Sequence, residues 1–201
     1  MSADFVPFDP KGELEIRRRR LPHWEQPGAT HFVTFRLGDS LPREVIEQLV
    51  EFRRLNTGAE NGAEFEWIDR RLDSGSGSCL LADAANAAIV EASLRHFDGQ
   101  RYNLGAFVVM PNHVHALVQP IAPHNLTTTV HGWKSFTAHK LNVAGVASGQ
   151  LWQAERFDRV VRDERELRKF HDYIVANPVA AKLAKGRYAL GEGSARWRSA
   201  F

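Results

Sequence analysis

At 201 residues the chain is long enough for one compact domain with appendages and too short for two full ones. With 43% hydrophobic and 25% charged residues it has the composition of a soluble globular protein, and a formal net charge of +2 excludes an overall polycation. The single cysteine, Cys79, excludes an intrachain disulfide, and no run suits a secretory signal or a membrane span, so the expected location is the cytoplasm.

Residues 1–30, rich in Pro, Gly and Arg, read as a basic extended arm that includes the unbroken run Arg17, Arg18, Arg19 and Arg20. Such a run suits phosphate contacts and equally a solvated face. His31 to Leu37 carries the β-branched and aromatic residues of a first strand. Pro42 stands where a helix begins, and Val45, Ile46, Leu49 and Phe52 recur at helical spacing. Residues 56–81 read as an insert, with loop chemistry at Asn56-Thr57-Gly58 and Ser74 to Ser78 around a short helix from Phe65 to Leu72. A helix from Ala82 to Phe97 follows. Leu104–Met110 and His113–Gln119 are two strands joined by Pro111-Asn112. Leu126, Val130, Trp133, Thr137 and Leu141 trace one side of the next helix. Phe157 to Val161 reads as a fourth strand, and Asp163 with Glu166 as a capping box for a helix that Asn177-Pro178 stops. Residues 31–183 then form one domain, and 184–201 a tail. The order predicts an α+β, ferredoxin-like (RRM-like) antiparallel sheet of four to five strands, with helices on one face.

The chemistry centres on Met110-Pro111-Asn112-His113-Val114-His115. Side chains alternate along a strand, so His113 and His115 share a face, while Val114 and Ala116 face a core. Two imidazoles on one face are a ready metal pair, or simply a hydrogen-bonded one. A catalytic metal site wants a third donor. Tyr173 and Asn177 lie four residues apart, on one helical face, and offer a phenol and an amide oxygen. A tyrosine has a reference pKa near ~10, and a neighbouring divalent cation favours its phenolate. The set His113, His115 and Asn177 suits Mg²⁺ or Mn²⁺, with Tyr173 attacking a phosphodiester. Taken singly, each residue also has a plain structural reading in packing, hydrogen bonding or helix termination.

The Pro-Asn-His-Val-His run resembles the His-hydrophobic-His (HUH) signature of single-tyrosine HUH transposases. Further blocks match in order: Arg20 to Trp24, Thr30 to Arg36, Trp133 to Thr137, Leu151 to Gln153, Phe157 to Asp163, and Tyr173 through Asn177-Pro178-Val179. Together they resemble the REP-associated tyrosine transposases across residues 17–183. The resemblance implies His113 and His115 as metal ligands, Tyr173 as nucleophile and Asn177 as third ligand, where insertion-sequence relatives often have Gln. It implies metal-dependent cleavage and strand transfer of single-stranded or hairpin DNA through a 5′-phosphotyrosine, by a monomer rather than a homodimer, associated with the nucleoid when bound. Arg17, Arg18, Arg19, Arg20, Lys134, Arg156, Arg159 and Arg162 are the expected backbone-holding cations. Two other readings fit the same residues: a hairpin-binding module with a vestigial site, and a hydrolase in which water attacks.

Overall fold

A computed structural model describes residues 5–18, 22–55, 61–195 and 197. Its centre is a five-stranded antiparallel sheet in the order β6-β3-β5-β4-β7. The strands are β3 (His31–Arg36), β4 (Tyr102–Val109), β5 (His113–Pro120), β6 (Phe157–Val160) and β7 (Ala189–Glu192). The helices are α1 (Arg43–Leu55), α2 (Asn61–Leu72), α3 (Ala84–Arg95), α4 (Leu126–Val143) and α5 (Glu164–Ala180). This is the ferredoxin-like plan with one added edge strand. The histidine strand β5 is its middle strand, buried along its whole length.

Both faces of the sheet are covered, not one. On one face Val33, Phe35, Val114 and Ala116 pack with Val90 and Leu94 of α3 and Val130, Trp133 and Leu141 of α4. On the other, Phe32, Val108 and Leu117 pack with Leu167, Phe170 and Ile174 of α5 and with Trp197. The expectation of a single helical face fails because β3, β4 and β5 carry apolar residues on both sides. Gly105 lets the C-terminal segment close on the sheet: a Cβ there would lie 2.5 Å from Trp197 Cζ3.

Two strands form within the stretch read as an extended arm. β1 (Glu15–Arg18) pairs antiparallel with β2 (Pro22–Glu25), with Ile16 opposite Trp24. Buried charges fasten this ribbon to β6. His23 bonds Asp158, and Arg156 donates to Glu25 at 2.9 Å and lies 3.0 Å from Asp158. The opposite side of the ribbon is open, with Ile16 47% and Trp24 45% exposed. Part of the expected tail likewise joins the sheet, as β7 beside β4.

At α5, Asp163 accepts from the Glu166 N–H at 2.7 Å as expected. The reciprocal bond is displaced by one residue, since Glu166 Oε2 accepts from the N–H of Arg162. Pro178 does not stop the helix, which runs on to Ala180. Proline forfeits one N–H bond, yet Ala181 N still reaches Asn177 O at 2.9 Å and Leu183 N reaches Pro178 O at 2.9 Å. Asn177 therefore stays helical and on the same face as Tyr173. Among the described residues, no helix is long and apolar enough to cross a membrane.

Candidate functional site

The α5 face of β5 carries His113 and His115 with ring centroids 4.6 Å apart, both fully buried. Each ring is held through Nδ1. His113 Nδ1 lies 2.7 Å from Asn112 Oδ1, and His115 Nδ1 lies 2.7 Å from Thr34 Oγ1 on β3. Asn112 settles the first tautomer. Its amide nitrogen donates to Leu72 O at 3.1 Å and Ser76 O at 3.0 Å, so its oxygen must accept from His113. The Nδ1–H of His113 is thereby fixed and its Nε2 carries a lone pair, the arrangement a metal-ligating histidine needs.

The third partner comes from the segment read as an insert. Asp69 of α2 is 7% exposed and places Oδ1 3.3 Å from His115 Nε2. Asp69, His113 and His115 each offer a ligand atom within 4.8 Å of the others. The loop after α2 is pinned rather than free. Ser78 N donates to Asp39 Oδ2 at 2.8 Å, and Gly77, at φ +87°, takes a position where a Cβ would lie 2.5 Å from Asp39 O. Leu72 and Ser76 then meet Asn112, which locks α2 over the histidine strand.

α5 supplies the rest. The Tyr173 hydroxyl donates to Asp69 Oδ2 and accepts from Asn177 Nδ2 at 3.0 Å. The Tyr173 ring stands edge-on to His115 at 5.3 Å and to Phe32 at 5.9 Å. Phe32 also stacks on His115 and Phe170, so one aromatic bed orients both tyrosine and imidazole. His113, His115, Tyr173 and Asn177 thus meet in one place, together with an aspartate that motif spacing missed. Motif spacing could not find it, because Asp69 reaches the site only through the contact of α2 with the histidine strand.

The electrostatics follow from burial. Desolvation, then the neighbouring His115, holds His113 well below its ordinary value, so it is neutral. Burial pushes the Asp69 carboxyl up, but bonding to His115, the two imidazoles and the tyrosine hydroxyl outweigh it and the net shift is downward. Burial and then the charge of Asp69 push Tyr173 strongly up. Burial and Asp69 likewise raise Asp73, just past the end of α2, to about 6.

The donor set fits a divalent cation. His113 Nε2 and Asn177 Oδ1 are buried without a hydrogen-bond partner among the described residues, and Asp69 Oδ1 meets His115 Nε2 only at 3.3 Å. Buried polar atoms are rarely left so, and these three share one cluster. Imidazole nitrogens with carboxylate and amide oxygens suit Mn²⁺ or Mg²⁺, and Zn²⁺ or Ni²⁺ as well.

The expected DNA-holding cations do not gather here. Lys134 donates to Gln153 O at 2.6 Å and Ala154 O at 3.0 Å. Arg156 is ion-paired to Glu25 and Asp158, and Arg159 to Glu166 at 2.7 Å. Arg162 is exposed. Arg17 and Arg18 lie on β1, with side chains outside what is described, and Arg19 and Arg20 lie outside the described residues.

No protein-family profile and no curated protein matches the chain. Among solved structures, the chain is similar to a REP-associated tyrosine transposase bound to a REP hairpin, at TM-score 0.47 and 19% identity, over 85% of this chain and 76% of that one.

Proposed function

We propose that this protein is a metal-dependent endonuclease and strand transferase for single-stranded or hairpin DNA, of the REP-associated tyrosine transposase type. The observation that carries the reading is the Tyr173 hydroxyl lying on the carboxylate of the Asp69–His113–His115 cluster.

The tyrosine oxygen attacks the scissile phosphorus, the bond from phosphorus to the 3′-oxygen breaks, and the strand leaves as a 3′-hydroxyl. The 5′ end stays on Tyr173 as a phosphodiester, so another 3′-hydroxyl can reverse the step and complete transfer. The proton leaving Tyr173 already points at Asp69 Oδ2, while Asn177 Nδ2 donates to the oxygen on which charge develops. Mg²⁺ or Mn²⁺, held by His113, His115, Asp69 and Asn177, would supply Lewis-acid withdrawal of charge from the phosphate. The α2 segment and Phe32 fix the tyrosine and limit its rotamers. The β1–β2 ribbon with its open Trp24, the sequence run Arg17 to Arg20, and exposed Arg162 are assigned to DNA backbone and unpaired bases. The acting unit is a monomer.

The test is incubation with labelled hairpin DNA bearing single-stranded flanks and Mn²⁺, with and without chelator. A denaturation-resistant protein–DNA band that needs metal and vanishes in Tyr173→Phe supports the reading. Cleavage that survives Tyr173→Phe without a band points to water as nucleophile. Metal-independent binding with no cleavage points to a hairpin-binding module.

A further inference from the structure

The sheet face away from Tyr173 holds a second concavity. A cavity of about 390 Å³ lies between α3 and α4, in the size range of small-molecule sites. Its floor is the buried pair Tyr102 and Trp133, and Phe97 and Phe136 stand at its walls. The floor satisfies its own polar atoms: Trp133 Nε1 donates to the Tyr102 hydroxyl, which donates to Leu94 O at 2.8 Å. What it offers a ligand is aromatic surface.

Gly132 opens the space. It sits in the interior of α4, where glycine weakens a helix, and a Cβ built on it meets nothing within 4 Å. No close contact demands glycine there. Its effect is room.

The lip is cationic. The Arg101 guanidinium lies 3.5 Å over the Phe97 ring and makes no ion pair or hydrogen bond among the described residues. Lys140 stands 5.7 Å from the Phe136 ring, His96 and His124 also line the cavity, and no carboxylate does.

We infer that this cavity binds a nucleotide unit, its base against the aromatic lining and its phosphate at Arg101. An aliphatic ligand would leave the cation-on-ring lip unused, and a sugar would find no free hydrogen-bonding groups on the floor. A planar aromatic anion uses both features. The nucleotide has two sources, a free mononucleotide or an unpaired nucleotide of a DNA strand. Only the second rests on the function proposed above.

The experiment is calorimetric titration of the full chain with dAMP, deoxyadenosine and a single-stranded ten-nucleotide DNA. It is run on wild type, Gly132→Leu and Arg101→Gln, with a thermal melt of each variant. Gly132→Leu fills the space and improves helix propensity, so the variant folds. The expected result is dAMP binding that Gly132→Leu weakens at least about tenfold, the scale of losing one stacked base. Arg101→Gln weakens dAMP but leaves deoxyadenosine unchanged. If the strand is the source, Gly132→Leu also weakens the oligonucleotide, and dAMP competes with it; if the free nucleotide is the source, the oligonucleotide is indifferent to Gly132→Leu. No dAMP binding to wild type, or equal binding to wild type and Gly132→Leu, overturns the inference. Equal loss of dAMP and deoxyadenosine in Arg101→Gln overturns the phosphate assignment. The tyrosine adduct assay on Gly132→Leu is separate, so failure of the cavity and failure of the proposed chemistry are told apart.

Discussion

Asn112 joins the histidine strand to the α2 segment, and its removal should damage stability and metal affinity by separable amounts. The side chain is 1% exposed and makes three hydrogen bonds, to Leu72 O, Ser76 O and His113 Nδ1. At about 1 kcal/mol each, Asn112→Ala costs about 3 kcal/mol, since two carbonyls and one imidazole N–H are left without their partner. For a chain of this size that is a fall of about 6–12 °C in Tm. Freed of its acceptor, His113 can put its proton on Nε2, and Mn²⁺ affinity should fall about 10–100-fold, as when a ligand's supporting group is lost. Asn112→Asp divides the two effects. It keeps an acceptor for His113 but sets a carboxylate against two carbonyl oxygens. Mn²⁺ titration followed by calorimetry, with urea unfolding in chelator, reads both. Asn112→Asp should retain metal affinity while losing at least as much stability as Asn112→Ala. Equal loss of affinity in the two variants, or no change in Asn112→Ala, would refute the reasoning.

Asp69→Asn keeps the shape of the third ligand but not its charge; Mn²⁺ affinity should drop at least about tenfold and the covalent DNA band should weaken with it, as read by calorimetry and denaturing gel. A variant that binds metal like wild type removes Asp69 from the ligand set. Asp73 titrates from 3.8 to about 6 on folding, so the folded state favours its neutral form. Stability therefore falls as pH rises through that window and the cost persists above it. After screening of this partly exposed group, Asp73→Asn should add about 1–2 kcal/mol in chelator at pH 7.5 and close to nothing at pH 3, below both values, a difference visible in thermal melts. An equal gain at both pH values contradicts the assignment. Trp24→Ala should cost about 2 kcal/mol of stability at most, because nearly half of the side chain is already open, and weaken flanked-hairpin binding about fivefold or more by fluorescence anisotropy. Unchanged binding would remove the ribbon from the interface.

The strands and helices whose residues alternate clearly between apolar and polar positions are legible in the sequence. β3, the β4–β5 hairpin and α4 fall within a few residues of their expected bounds. So is the site's half that rests on local spacing: His113 and His115 two residues apart on a strand, Tyr173 and Asn177 four apart on a helix. Asp69 is not, because a single carboxylate on a short helix carries no spacing signal. Its role depends on a long-range contact, the tether from Asn112 to Leu72 and Ser76. The ribbon was missed for a similar reason. Its pairing is held by buried charges from β6, and Pro, Gly and Arg in its sequence speak for a loop. Pro178 misled at the helix end, where one forfeited bond is tolerated because the last turn is closed by Ala181 and Leu183.

The central claim is that the Tyr173 oxygen becomes bonded to DNA phosphorus. The most direct measurement is peptide mass spectrometry after reaction with flanked hairpin DNA and Mn²⁺, followed by nuclease trimming. The account predicts a nucleotide adduct on the peptide that contains Tyr173, present with Mn²⁺, absent with chelator, and lost in His113→Ala. Cleaved DNA with an unmodified Tyr173 peptide, or an adduct on any other residue, would contradict it.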